Sequence, residues 1–230
     1  MSQVCGATTL TTVTMTVATT ASSPLDPGPA MPLEARAAAV GLTVLATAAW
    51  PESPADDTAP SIAGFVVSSF SPLTAEVARR CLSRRAEDVQ TSGGHEARPV
   101  TAVILVSSLG DLASAVHVAD AVDSADRVGP LLFFQSVPNA VAGYLAAKWR
   151  LTGPVVCVGA VGAGLEIAAT LIEDGDAEEA LLVRIEQGCD IEQGCDIEQA
   201  GDVNAVTETG DRADAVLLGA GPLYSKGEVT

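Results

Sequence analysis

Aromatic residues make up only 3% of this 230-residue chain, and its 12 Lys and Arg stand against 29 Asp and Glu. With so few rings, a core must be filled by Ala, Val, Leu and Ile, which fit within the 48% of residues that are hydrophobic. That supply suits tightly packed α/β layers better than an aromatic-rich sandwich. The shortage of bases leaves a net charge of −17. An acidic surface repels phosphate, which excludes nucleic acid and anionic membranes as general partners. The imbalance is concentrated towards one end, with 16 acids against 3 bases from Glu166 onward. Cysteine is sparse and odd in number: Cys5, Cys81, Cys157, Cys189 and Cys195. Irregular spacing and an odd count do not suggest a disulfide framework, and a reduced, cytoplasmic protein is the expectation.

Charge is missing altogether from the first 25 residues, which hold eight threonines between Thr8 and Thr20. A secretory signal needs a basic start and a compact apolar run, and this segment has neither. The uncharged stretch 128–147 has the length of a membrane span. It contains Gly129, Pro130, Gln135, Pro138 and Asn139, so no transmembrane helix is expected.

What is present reads as one domain behind a leader. Residues 1–32 are Thr-rich and then Pro-rich, as in disordered segments, and Met31 offers an alternative translation start to Met1. Hydrophobic patterning then predicts strands at 41–48, 100–107, 155–159, 180–185 and 214–219. Helices are predicted at 73–89, 111–123, 138–149 and 163–174. Leu73, Val77 and Cys81 recur at helical spacing, as do Leu112, Val116, Ala119 and Val122. Pro138 suits a first helical position and Gly175 a helix stop. Strands alternating with helices imply a mostly parallel sheet with helices on its faces. Between the last two strands the hexapeptide IEQGCD at 185–190 recurs at 191–196 and again, as IEQAGD, at 197–202. Three copies are too few for a solenoid, so 186–211 reads as a loop lengthened by duplication. No metal site is expected in it.

One stretch is more specific than the pattern. FFQSVPNAVAGYLAAKWRLTGP at 133–154 is preceded by SSLGDLASAVH at 107–117. It is followed by GPVVCVGAVGAGLEIAATLIEDGDAEEALLV at 153–183. Together with GLTVLATAAW and SIAGFVVSSFSPLTAEVARRCL, these segments resemble the N-terminal domain of the beta-ketoacyl synthase family over about 41–222. The short end 223–230 reads as a tail. The resemblance implies a thiolase-like half and a role in polyketide or fatty-acid-type biosynthesis. It also implies partnership with a ketosynthase or an acyl carrier protein as a homo- or heterodimer. It places the family's cysteine nucleophile at a helix N-terminus, where the helix end favours a thiolate. Counted from Gly153 and Pro154, that position is occupied here by Gly162. Glycine cannot hold an acyl group, so no catalytic residue and no cofactor are assigned. The expectation is an accessory protein without condensing activity.

Other readings stay open at this stage. An enzyme acting on a carrier-bound chain through unidentified residues is one. A dinucleotide site at Gly159–Gly164 is another, although the spacing is G-x-x-G-x-G rather than G-x-G-x-x-G; Glu186 would then meet a ribose. Cys157 reads as a buried strand thiol, and His95 and His117 as structural or solvated. Arg79, Arg80, Arg84 and Arg85 lie along one helical side and suggest docking of an acidic carrier. By the same resemblance Val141, Tyr144, Leu145 and Trp149 are expected at a dimer interface.

Overall fold

The computed structural model describes residues 32–91, 98–188 and 210–221. The leader (except Pro32), His95, most of the duplicated loop and the tail lie outside the described residues.

Among the described residues, eleven elements follow one another. They are α1 (Leu33–Ala39), β1 (Leu42–Trp50), α2 (Phe70–Thr91), β2 (Thr101–Val106), α3 (Leu112–Asp123) and α4 (Pro130–Gln135). Then come α5 (Pro138–Trp149), β3 (Val155–Val158), α6 (Val161–Glu173), β4 (Glu179–Glu186) and β5 (Arg212–Ala220). The five strands form one sheet in the order β1-β5-β4-β2-β3. β4, β2 and β3 pair in parallel, whereas β5 runs antiparallel to both of its neighbours, β1 and β4. β5 is therefore the one reversed strand in an otherwise parallel set. It is the next strand after β4 among the described residues and pairs with it directly, as an antiparallel neighbour can.

Alternate residues of the strands supply two cores. On one face Leu105, Leu181, Val183, Ile185, Ala215 and Leu217 pack with Phe70, Leu73 and Val77 of α2 and with Val141 and Leu145 of α5. On the other, Ile104, Val106, Leu182, Val216 and Leu218 pack with Ala37 of α1 and with Leu165 and Ala168 of α6. β2 is buried on both faces, which its unbroken apolar run TAVILV allows. The result is a three-layered helix–sheet–helix sandwich.

The helix ends follow local chemistry. Asp111 caps α3, accepting from the Ser114 amide at 3.1 Å and its hydroxyl at 2.7 Å. Proline opens both α4 and α5, and Gly175, at φ 80°, follows the last turn of α6. Every predicted helix and strand is present. Two short helices are additional: α1, seven residues long, and α4, six residues long. Neither has enough turns to display a period. α6 also begins two residues earlier than its apolar pattern, because its first turn is built of Val161, Gly162 and Ala163.

Candidate functional site

β3 ends at Val158, and Gly159 and Ala160 turn the chain into α6. Ala160 has extended backbone at φ −137° and ψ 141° and caps the helix without a side-chain hydrogen bond. Gly162 therefore stands in the first turn of α6, at the position to which the resemblance assigns the family nucleophile. The first turn of α6 has no acidic residue, so the helix end keeps its positive character. Gly164, two residues further, faces the sheet. A Cβ there would sit 3.0 Å from Val106 Cγ2 and 3.1 Å from Leu182 Cδ1, so this glycine lets α6 approach β2 and β4. Gly153, before β3, is tighter still, with a Cβ 2.6 Å from the Ala102 nitrogen.

Cys157 differs from its expected setting. β3 is the last strand of the sheet, with β2 as its one neighbour among the described residues, so the thiol is exposed rather than buried. Its Sγ donates to Asn139 Oδ1 of α5 at 2.9 Å. Although the residue retains surface, desolvation raises its pKa above the ordinary thiol value. At neutral pH it is held as a thiol, which is a poor nucleophile. Cys81, on α2, is fully buried, and its pKa is pushed up to about 12 by burial.

The edge position of β3 also bears on the dinucleotide reading. A pyrophosphate site of that type lies at a switch point, with connections leaving to opposite sides of the strand. Among the described residues β3 has no strand on its outer side. Glu186 ends β4, two strands from β3, and accepts from Ser108 Oγ at 2.8 Å. Gly164 is occupied with helix packing. Among the described residues the turn after β3 is therefore not at a switch point of the sheet.

The four arginines of α2 are brought together, and their partners belong to the chain itself. Arg80 makes a two-pronged pair with Asp56 at 2.8 and 2.9 Å and donates to Glu76 at 2.8 Å. It also donates to the Ala49 carbonyl and lies 4.9 Å above the Trp50 ring. Arg79 pairs with Glu76, Arg84 with Glu52, and Arg85 with Glu179. Arg84 also donates to the Thr47 carbonyl. Hydrogen bonds from these guanidiniums hold the carboxyls of Glu52, Asp56 and Glu76 below their ordinary values. Four cations thus meet four carboxylates, and α2 is pinned to β1 and to the turn after it.

The expected interface residues divide. Val141 is 0% and Leu145 1% exposed, because the α5 face that carries them seals the core against α2. They are interior residues of this chain's own core. Tyr144 and Trp149 are partly buried against the same core, and Lys148 donates to the Tyr144 hydroxyl at 3.0 Å. His117 is exposed on α3.

A polar network that patterning did not single out closes the ends of β4 and β5. Gln187 accepts from the Ala113 amide and donates to the hydroxyls of Ser68 and Ser69. Ser69 donates to Asp211, which also receives the Gly188 amide. Only the location, beyond the strand ends where α/β sheets place their sites, could have pointed there. No group of three or more metal-ligating side chains occurs among the described residues, and no helix there is long and apolar enough to cross a membrane.

The sheet order, the two helical layers and the helix that starts straight after an edge strand define one α/β half of the thiolase type. A family model described as beta-ketoacyl synthase, N-terminal domain, matches residues 48–193. The chain belongs to that family. No curated protein matches it. Solved structures extend the likeness at the level of fold. A ketosynthase, ApeO, in complex with its chain length factor, ApeC, from Xenorhabdus doucetiae is matched with a TM-score of 0.59 at 21% identity. That match covers 79% of each chain. The ishigamide ketosynthase/chain length factor gives a TM-score of 0.52 at 18% identity over 69% of this chain and 45% of that one. A type II PKS acyl-carrier protein in complex with its ketosynthase bound to the hexaketide gives 0.50 at 15%, over 78% of this chain and 63% of that one.

Proposed function

We propose that this chain is a non-condensing, ketosynthase-like accessory protein of polyketide or fatty-acid-type biosynthesis that acts by associating with a catalytic ketosynthase. The observation that carries the reading is Gly162 in the first turn of α6. The fold keeps the strand, the turn and the uncompensated helix end that would activate a thiol there, but the residue has no side chain to acylate. Cys157 does not replace it, because its sulfur is kept protonated and bonded to Asn139.

The partner surface that the geometry favours is the outer edge of β3. Its backbone groups meet no strand among the described residues, and Val155 is 41% exposed. An open edge is a template for pairing with another chain. Two of the matched structures are described as pairing a ketosynthase with a chain length factor, and by analogy this chain fits the non-catalytic side of such a pair. A cytoplasmic location accords with that role. The α2 arginines give less support to carrier docking than their sequence suggests, since their charge is neutralised within the fold.

Sedimentation of this chain with a ketosynthase from its own host tests the association. A mixed complex that Val155→Lys abolishes is the expected result. Two species sedimenting separately at micromolar concentration would refute it.

A further inference from the structure

The stripe of Leu112, Val116, Ala119 and Val122 predicts that α3 buries one side along its whole length. It does not. Ala119 is exposed and Val122 is 68% exposed, so the C-terminal half of α3 leaves its apolar side open. Beside it lies an open groove of about 630 Å³, a volume typical of binding sites. Val66 and Val67 form one wall, and Leu131 of α4 forms another. Val66 is 82% and Leu131 70% exposed, which is costly for a monomer surface and marks an interaction site.

The charge at the head of this groove is unusual. Asp120 and Asp126 line it, and Asp123 is exposed in the same turn of α3. A helix C-terminus carries negative partial charge and is stabilised by Lys or Arg. The last turn of α3 has no basic residue and carries carboxylates instead. The helix terminates there with a left-handed Ala125 at φ 56°, and the Asp126 amide donates back to the Ala121 carbonyl at 2.8 Å. The fixed helix end and the carboxylates therefore add up at one end of an apolar channel, with Arg127 as the one cation among the groove's lining residues. The α2 cluster, by contrast, answers each of its charges within the chain.

We propose that this groove docks an amphipathic, basic segment of a protein partner. Its apolar side lies on Val66, Val67 and Leu131, and its cationic end meets the C-terminus of α3. The proposal does not depend on the β3 edge or on the absence of a nucleophile. It also separates this surface from any acidic carrier, which the same carboxylates would repel.

The test uses the full chain and two labelled 14-residue helical probes, one of Leu and Lys and one of Leu and Glu in the same pattern. Fluorescence anisotropy at 0.15 M salt reads binding. The Leu/Lys helix is expected to bind at least tenfold more tightly than the Leu/Glu helix. Asp120→Lys with Asp126→Lys is expected to weaken it at least tenfold, as is Val66→Ser with Leu131→Ser. Glu173→Lys with Asp174→Lys reverses as much charge on the exposed end of α6 and is expected to change it less than twofold. Equal loss in that control would reduce the binding to net charge and overturn the proposal. Undiminished binding after Val66→Ser with Leu131→Ser would overturn it too, and tighter binding of the Leu/Glu helix would give the groove to an acidic partner.

Discussion

The two edges of the sheet are treated in opposite ways. At β1, the carbonyls of Thr47 and Ala49 accept from Arg84 and Arg80, and the Cys81 thiol donates to the Ala46 carbonyl. α2 thus lays polar side chains along that strand and closes it. At β3 no side chain performs this service. Its backbone edge is open among the described residues and its valine at 155 is half in solvent. Proteins blunt edges that must not pair and leave open those that do. On the proposed reading, the β1 side has a structural task and the β3 side an associative one.

The comparison can be broken from either side. The largest effect is expected where backbone approaches backbone. Gly153→Ala puts a methyl 2.6 Å from the Ala102 nitrogen, at the turn that sets β3 against β2. We expect a loss of about 3 kcal/mol in urea unfolding, at the upper end for overpacking. Arg80→Ala comes next. It removes the ion-pair partner of Asp56 and one of the two guanidinium partners of the buried Glu76, and should lower the urea midpoint by less than Gly153→Ala does. If Arg80→Ala unfolds with the wild type, β1 is not held by α2.

Acid is a third lever. Glu52, Asp56 and Glu76 have folded pKa values below their ordinary ones, because their guanidinium partners stabilise the charged form. Their contribution is complete above the ordinary carboxylate range and is lost as pH falls through the depressed folded values. Stability should therefore decline below about pH 4.5, with a shallower slope in Arg80→Ala. An identical slope in the two proteins would remove the cluster from the account. The smallest effect on stability belongs to Val155→Lys, which changes an exposed edge position and should shift unfolding by less than about 0.5 kcal/mol. Its consequence should appear only in partner binding. Cys157 sharpens the same point: its alkylation by iodoacetamide at neutral pH should be slow and should quicken as pH rises.

Much of this fold was legible in the sequence. The buried run of β2, the helical spacing of Leu73, Val77 and Cys81, and Pro138 at the start of α5 each name their element directly. The short helices were not legible, since one or two turns show no period. Gly162 could be located by counting from Gly153 and Pro154, because the strand and turn between them admit little variation. Sheet order could not be read, and it decides the rest. Among the described residues it makes β3 an edge, exposes Cys157 and takes the turn after β3 away from a switch point. The arginines of α2 look alike as letters, whereas their carboxylate partners come from residues up to 94 positions away. That Val141 and Leu145 are covered by α2 was not legible for a related reason: an apolar helix position does not say which neighbour covers it.

The most direct test of the central claim is intact-protein mass spectrometry after incubation with an acyl-charged carrier protein and a catalytic ketosynthase. The account predicts the acyl mass on the ketosynthase and none on this chain. An acyl adduct on this chain, on Cys157 or any other residue, would contradict it.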